Sequence, residues 1–210
     1  MALASCQGSL LDLDDLTSVG PLESTVDRID LGDGAWLDVG RGWVRGAGSL
    51  FDRLLHVVPW RDEQRVMYER KVTVPRLLAF YDEQDALPDP SLADARATLG
   101  RYYAAELGEP FRTAGLCLYR DGRDSVAWHG DRIGRGAIHD TMVAIVSLGT
   151  PRALLLRPRS GGASHRYELG HGDLLVMGGS CQRTWEHAVP KTSRPSGPRI
   201  SVQFRPRGVR

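Results

Sequence analysis

The chain has 210 residues, which is enough for one domain with a sizeable core. Hydrophobic residues make up 41% and charged residues 25%, which argues against global disorder, and no run approaches the roughly 18 apolar residues of a membrane-spanning helix. The net charge of +1 conceals balances of −5 over residues 1–60, −3 over 61–111 and +9 over 112–210. Only the C-terminal half therefore has the charge to face an anionic partner such as nucleic acid.

Short β-type runs separated by Gly, Pro or Asp clusters predict strands along most of the chain. The predicted strands are 26–31, 35–39, 66–74, 115–119, 142–148, 152–156, 173–177 and 199–204. Apolar residues at helical spacing predict two helices, at 49–58 and at 91–107. Helices in the first half and strands in the second indicate an α+β protein whose C-terminal part is a β-sandwich or jelly roll.

The cysteines and the first residues bear on the compartment. Cys6, Cys117 and Cys181 are an odd number without a C-x-x-C pair, so we expect no disulfide framework. The first residues lack the basic start of a signal peptide. We expect a cytoplasmic protein that acts as a monomer and has no membrane partner.

The segment Trp128-His129-Gly130-Asp131 carries the first candidate ligands. On a strand or at its edge, positions i and i+2 face the same side, so His129 and Asp131 can reach one point. An imidazole with a carboxylate is a typical start of an iron(II) site. A third ligand is needed, and four later histidines compete for it: His139, His165, His171 and His187.

These four histidines differ in their sequence surroundings. His139 and His165 lie in predicted loops, and His171 lies in a predicted turn before the strand at 173–177. His187 is flanked by apolar residues and is followed by Pro190, so a structured and partly buried segment holds it. A surface or hydrogen-bonded histidine is the commoner fate of each.

The segment 199–205 alternates between apolar and polar residues. Ile200, Val202 and Phe204 share one face of the predicted strand, and Arg199 and Arg205 lie on the other. Two arginines on one face suit a small dianion, because the guanidinium fork grips a carboxylate bidentately and stays charged. An ordinary half-exposed edge strand is the alternative interpretation.

Taken together, these motifs resemble the AlkB family of iron(II)- and 2-oxoglutarate-dependent dioxygenases. The resemblance covers residues 111–206, and more weakly 59–81. It is carried by His129-x-Asp131, by His187, by the pair Arg199 and Arg205, and by the segments LYRDG at 118–122, SLG at 147–149 and HGDLLVM at 171–177.

The resemblance implies a double-stranded β-helix, which is a jelly-roll variant, with N-terminal helices and a nucleotide-recognition lid. We expect one dioxygenase domain over 1–210, with a loose lead-in at 1–24, an extension and lid at 25–110 and the catalytic jelly roll at 111–206. It also implies that His129, Asp131 and His187 bind Fe(II), and that Tyr119, Arg199 and Arg205 bind 2-oxoglutarate. O₂ is the further co-reactant.

Two positions depart from the family pattern. The family often has Asn two residues before the tyrosine, where this chain has Cys117. Several repair enzymes of the family have an acidic residue two positions after the metal Asp, where it contacts the exocyclic amine of the flipped base. This chain has Ile133 there, and an apolar side chain cannot accept that hydrogen bond.

Five further residues are candidate substrate contacts. Trp60, Arg76 and Tyr81 resemble the family's segment before the core, where an aromatic and an arginine can brace a flipped base. Arg132 and Arg135 place positive charge beside the metal Asp, where they can contact phosphates.

The resemblance implies oxidative demethylation of alkylated bases in DNA or RNA, with release of formaldehyde, succinate and CO₂. Ile133 favours a second interpretation, in which the same chemistry acts on a protein side chain, a modified tRNA base or a small molecule. A third is a catalytically idle, metal-stabilised jelly roll that only binds a partner, but such a module would not need the metal ligands and both arginines.

Overall fold

The computed structural model of the chain describes residues 16–67, 70–131 and 135–209. Two β-sheets lie face to face around a shared apolar layer, as in a double-stranded β-helix, and helices cover the outer face of the larger sheet. The predicted α+β class and the jelly-roll core are confirmed.

The bounds of the elements follow in chain order. The described strands are β1 (Ser18–Val19), β2 (Val26–Gly32), β3 (Ala35–Gly40), β4 (Val44–Arg45), β5 (Arg61–Met67), β6 (Arg70–Tyr81), β7 (Thr113–Tyr119), β8 (Val126–His129), β9 (Val143–Gly149), β10 (Arg152–Pro158), β11 (His165–Leu169), β12 (Asp173–Gly179), β13 (Trp185–Val189) and β14 (Arg199–Arg205). The helices are α1 (Ala47–Val57), α2 (Pro90–Tyr102), α3 (Ala104–Leu107) and α4 (Cys181–Thr184), and a 3-10 turn spans Arg135–Ala137.

The larger sheet has eight strands in the order β2-β3-β12-β9-β14-β7-β6-β5. The smaller sheet has four, in the order β11-β10-β13-β8, and β1 pairs with β4 in a separate ribbon. Strand β14 lies between β9 and β7 and pairs antiparallel with both, so it is a central strand and not an edge strand.

Alternation along β14 and its neighbours separates two apolar cores. Ile200, Val202 and Phe204 are fully buried on the face that packs against α1 and α2. The opposite face of the larger sheet meets the smaller sheet, and an apolar cluster fills the space between them. Arg199 and Arg205 project from that inner face because the side-chain period of a strand is two.

The helices differ in part from the sequence prediction. The stripe at 49–58 forms α1, which buries Leu50, Phe51 and Leu54. The predicted helix at 91–107 was wrong as one continuous element, since it is interrupted at Tyr103 and divided into α2 and α3. The Tyr103 hydroxyl donates to the buried Asp38 carboxylate over 2.8 Å, a tertiary contact that local periodicity does not reveal.

The strand predicted at 66–74 was also wrong in extent. The chain there forms two antiparallel strands, β5 and β6, with Arg61 opposite Leu78 and Met67 opposite Arg70. Strand β6 continues to Tyr81 and joins the larger sheet through β7, so the hairpin is an extension of the core sheet. In the described part of the chain, no helix is long and apolar enough to span a membrane.

Candidate metal and substrate site

Pairing between two strands of the smaller sheet brings two histidines together. His129 ends β8 and lies directly opposite His187 of β13, with 4.2 Å between the ring centroids. Asp131 follows two residues after His129, and its Oδ1 lies 3.9 Å from His129 Nε2. One ligand atom from each of the three residues lies within 4.8 Å of the others.

A hydrogen bond orients the imidazole of His129, and burial favours the neutral form of His187. The Nδ1 of His129 lies 2.9 Å from the carbonyl oxygen of Ala127. When Nδ1 donates its proton to that oxygen, Nε2 is left with the lone pair that a metal requires. Burial, followed by the neighbouring His129, lowers the pKa of His187 to about 3, although Asp131 acts in the opposite direction.

Asp131 is buried but stays ionised. Its Oδ2 accepts a hydrogen bond of 2.8 Å from Arg205 Nε, and its backbone N–H donates to Gln182 Oε1 over 3.0 Å. Burial raises the pKa of this carboxyl group, but the charge and hydrogen bond of Arg205, together with the neighbouring His187 and His129, outweigh that effect and bring the pKa to about 2. The Asp131 carboxylate and the His187 imidazole are therefore already in the form that binds a divalent cation at neutral pH.

A cavity of about 70 Å³ lies beside this cluster, between the two sheets. The residues predicted to hold 2-oxoglutarate line it, namely Tyr119, Arg199 and Arg205. Other lining residues are Ile145, Leu154, Val189, Ser201 and Gln203. The cavity is thus apolar along its sides and cationic at Arg199 and Arg205, as a small dicarboxylate requires.

Arg199 is 1% exposed, and its charge is not matched by a carboxylate in the described structure. Its Nε donates to Ser147 Oγ over 3.0 Å, but its Nη1 is buried and has no partner among the described residues. Burial lowers the pKa of Arg199, which shows that the charged form is poorly solvated. An unpartnered guanidinium nitrogen at a cavity wall fits an incoming carboxylate oxygen.

Tyr119 lies between two buried arginines. The Cζ atoms of Arg199 and Arg152 lie 5.3 and 5.7 Å from the centre of its ring. Burial, followed by the nearby Cys117 thiol, raises the pKa of Tyr119 to about 12, so its hydroxyl is a hydrogen-bond donor at neutral pH. Arg152 donates to the carbonyl oxygens of Asp121, Asp124 and Pro190, which fixes the loop after β7.

A larger cavity of about 830 Å³ also opens beside the metal-ligand cluster. Strands β5 and β6 form one wall, which includes Arg76 and Tyr81, two of the predicted substrate contacts. The two cavities share Arg76, Cys117, His129, Gln203 and Arg205 as lining residues, so they meet beside the ligand cluster. Arg76 Nη1 donates to the Ser125 carbonyl oxygen over 3.1 Å, which holds its guanidinium at this junction.

Of the remaining predicted substrate contacts, Trp60 is described in full, and the structure places it away from the cavity. Trp60 packs against the helical core, its Nε1 donates to Leu55 O over 3.3 Å, and it is not among the cavity-lining residues. Arg132 and Ile133 lie outside the described residues. The backbone of Arg135 belongs to the 3-10 turn, and its side chain is outside the described part.

The three competing histidines lie apart from the ligand cluster. His139 is exposed in a loop, as predicted. His165, predicted in a loop, is instead the first residue of β11, and its ring meets Trp185 at 5.3 Å. His171 lies in the turn before β12 and accepts a hydrogen bond from Gly149 N–H through Nδ1.

Many arginines of the C-terminal half form ion pairs within the fold. Arginines there form ion pairs with acidic residues, and the acid is Glu83 of the other half for both Arg112 and Arg207. The other pairs are Arg120–Asp124, Arg123–Asp121, Arg157–Glu186, Arg159–Glu186, Arg166–Glu168, Arg183–Asp140 and Arg205–Asp131. Because the +9 balance already subtracts the acidic residues of its own half, these pairs fix the positions of the arginines without cancelling the excess of positive charge.

Sequence reasoning missed several residues at the site. Gln203 follows Arg199 by four positions on the same face of β14, so its alternation was a usable signal. Gln182 is on α4 and Val209 lies beyond β14, and no local pattern places either beside Asp131.

Comparisons with known proteins agree with this geometry. A model of the 2OG-Fe(II) oxygenase superfamily matches residues 45–205, which is more than half of the chain. Alpha-ketoglutarate-dependent dioxygenase alkB homolog 3 of Bos taurus is 31% identical over an alignment that covers 79% of this chain and 65% of the relative. The protein of the same name from Homo sapiens is 30% identical with the same coverage.

A second relative and two solved structures extend the likeness. DNA oxidative demethylase ALKBH2 of Arabidopsis thaliana is 27% identical, over 90% of this chain and 74% of that protein. The structure of OsALKBH1 superposes with a TM-score of 0.58 at 15% identity and covers 85% of this chain and all of the other. A 2OG-Fe(II) oxygenase family oxidoreductase from Burkholderia pseudomallei gives a TM-score of 0.52 at 12% identity, over 75% and 76% of the two chains. The chain spans just under two thirds of the alkB homolog 3 proteins.

Proposed function

Because the chain belongs to the 2OG-Fe(II) oxygenase superfamily and, within it, to the AlkB family, we propose that it is an iron(II)- and 2-oxoglutarate-dependent dioxygenase. We propose further that it demethylates alkylated nucleobases in DNA or RNA and releases formaldehyde, succinate and CO₂. The observation that carries the proposal is the convergence of His129, Asp131 and His187 beside a small cavity, which is lined by Arg199 with its buried and unpartnered Nη1.

The residues present fit an iron(II) ion. Two imidazoles and one carboxylate are the ligand set typical of non-haem iron oxygenases, and three protein ligands leave positions open for other ligands. Held by His129, Asp131 and His187, the ion supplies the redox chemistry that couples decarboxylation of 2-oxoglutarate to hydroxylation of a substrate C–H bond. The low pKa values of Asp131 and His187 keep both groups in the ligating form at neutral pH.

The same cavity suits 2-oxoglutarate. Arg199 would bind one carboxylate of the cosubstrate through its unpartnered Nη1, and the Tyr119 hydroxyl would donate a further hydrogen bond. Arg205, predicted to bind the cosubstrate, lines the cavity but also holds Asp131 through Nε. We therefore propose two roles for Arg205, one toward the cosubstrate and one toward the metal ligand.

The larger cavity is the proposed substrate site. It opens beside His129 and Asp131, and its wall includes Arg76 and Tyr81 from strand β6. A base that leaves its stack can be held between aromatic and cationic side chains in such a cavity. The likeness to the DNA oxidative demethylase ALKBH2 of Arabidopsis thaliana supports a nucleic-acid substrate for this chain.

A different substrate is the second candidate, and the sequence feature that favours it is Ile133. An apolar residue at that position removes the usual acceptor for the exocyclic amine of 1-methyladenine or 3-methylcytosine. The same oxidative chemistry on a protein side chain, a modified tRNA base or a small molecule is consistent with this feature.

Two assays test the proposal in sequence. Conversion of 2-oxoglutarate to succinate, with Fe(II) and ascorbate and no second substrate, tests the dioxygenase chemistry. His187→Ala should abolish this turnover, and replacement of His165, an exposed histidine on another strand of the same sheet, by Ala should not. Formaldehyde release from single- and double-stranded oligonucleotides with one methylated base tests the substrate, and intact succinate formation without formaldehyde would favour the second candidate.

A further inference from the structure

The segment that follows β14 turns back toward the ligand cluster. Pro206 is buried, Arg207 is exposed, and Gly208 has a φ of +73°, a left-handed conformation that glycine adopts without strain. The turn buries the next residue, Val209, which is only 2% exposed. Val209 joins the apolar cluster between the two sheets.

Val209 is part of the wall of the larger cavity, close to the backbone of Asp131. It is a lining residue of that cavity together with His129, Asp131 and Arg205. Gly136 shows how close the packing is, since a Cβ placed there would lie 3.5 Å from Val209 Cγ1 and 2.2 Å from the Asp131 carbonyl oxygen. An apolar side chain thus borders the substrate cavity where the proposed metal ligands meet it.

An ion pair connects this segment to Glu83, which follows strand β6. Arg207 donates to Glu83 Oε2, with Nε at 3.0 Å, and Arg112 Nη1 donates to Glu83 Oε1 over 2.6 Å. The Arg112 N–H also donates to the Arg205 carbonyl oxygen over 2.8 Å. Glu83 lies two residues after β6, whose last residues line the same cavity, so one carboxylate connects the segment to the opposite part of the site.

We propose that Val209 is a specificity-determining residue, which sets how large an N-alkyl group the cavity admits beside the metal ligands, and that the Arg207–Glu83 ion pair holds it in place. This inference rests on the proposed function, because it assigns a wall of the same substrate site. The side chain makes no polar contact, so it selects by volume and not by hydrogen bonding. In a close apolar pocket, one methylene more or less changes discrimination by about 10- to 200-fold.

The experiment compares two oligonucleotides that differ by one methylene. Single-stranded probes carrying one 3-methylcytosine or one 3-ethylcytosine release formaldehyde or acetaldehyde, and the measured quantity is the ethyl-to-methyl ratio of kcat/KM. Val209→Trp enlarges the wall and should lower this ratio by about tenfold, and Val209→Ala removes bulk and should raise it by about tenfold. Arg207→Ala, at an exposed side chain, should shift the ratio in the same direction as Val209→Ala.

Controls separate this inference from the proposed function. Val57→Trp places the same bulky side chain at an exposed position of α1 and should leave the ratio unchanged. If the wild-type enzyme acts on the probes but Val209→Ala and Val209→Trp keep its ratio, Val209 does not select and only this inference fails. If the wild-type enzyme forms succinate but neither aldehyde, the nucleobase substrate is wrong and the inference falls with it. The Ala variant decides the matter should the Trp variant fail to fold.

Discussion

Replacing Arg199 by Met distinguishes the contribution of this side chain to 2-oxoglutarate affinity from its contribution to the stability of the ligand-free protein. Arg199 is 1% exposed, it donates to Ser147 Oγ, and its Nη1 has no partner among the described residues. Methionine has a similar length without the charge, so Arg199→Met removes the proposed carboxylate contact and leaves the inter-sheet packing largely filled.

The magnitude follows from these contacts. Loss of a charge-assisted contact in a shielded cavity costs about 3 kcal/mol, which raises the Kd for 2-oxoglutarate roughly a hundredfold. The ligand-free protein should respond differently, because burial already disfavours the charged guanidinium and lowers the pKa of Arg199. Exchange of a buried charge for an apolar residue is often neutral or stabilising, so the Tm should stay constant or rise.

Calorimetric titration with 2-oxoglutarate, with Mn(II) in place of Fe(II) to prevent turnover, measures the affinity. Thermal unfolding of the ligand-free protein measures the second expectation. Arg152→Met is the matched comparison, since it leaves three buried carbonyl oxygens without their donor and should lower the free energy of unfolding by about 3 kcal/mol. An Arg199→Met protein that binds 2-oxoglutarate within about threefold of wild type would refute the assigned role.

Three further predictions concern the metal ligands. Asp131→Asn should abolish metal binding and succinate formation and leave the fold intact, which metal titration, a succinate assay and circular dichroism measure. Retained metal binding would contradict the assignment of Asp131 as a ligand. Arg205→Met should weaken both the metal and 2-oxoglutarate, because Arg205 holds Asp131 and lines the cosubstrate cavity, and unchanged affinity for both would contradict this. In chelator-treated protein, the free energy of unfolding should fall by about 1 kcal/mol between pH 7 and pH 5.5 on account of His187. The folded pKa of His187, about 3, lies below its unfolded value, so acid protonates the unfolded state first, and urea titrations of His187→Asn should lack this component.

Local sequence patterns placed most of the predicted strands correctly, as well as the relative positions of several candidate site residues. Period-two alternation at 199–205 assigned Ile200, Val202 and Phe204 to one face and both arginines to the other, and the structure has this arrangement. The one-residue spacing of His129 and Asp131 likewise predicted that both side chains reach one point. These features depend on backbone geometry within a few residues, which is why sequence reveals them.

Patterns spanning more of the chain were less informative. The helical stripe at 91–107 did not show the break at Tyr103, since that break accompanies a hydrogen bond to Asp38, 65 residues away. The sum of charges did not show that Glu83 pairs with Arg112 and Arg207, because ion pairs across the fold depend on tertiary proximity.

The sequence by itself indicated a β-sandwich or jelly roll and the pair His129 and Asp131, because these follow from the order of the elements and from strand alternation. The family resemblance implied the full ligand set. Only the tertiary structure decided that His187 lies opposite His129, that Arg205 holds Asp131 and that Trp60 packs into the helical core. It also brought Val209 to the substrate cavity, since this position depends on a turn that folds back over a distant strand. Such contacts join residues remote in sequence, and their energies depend on burial and distance that no local pattern encodes.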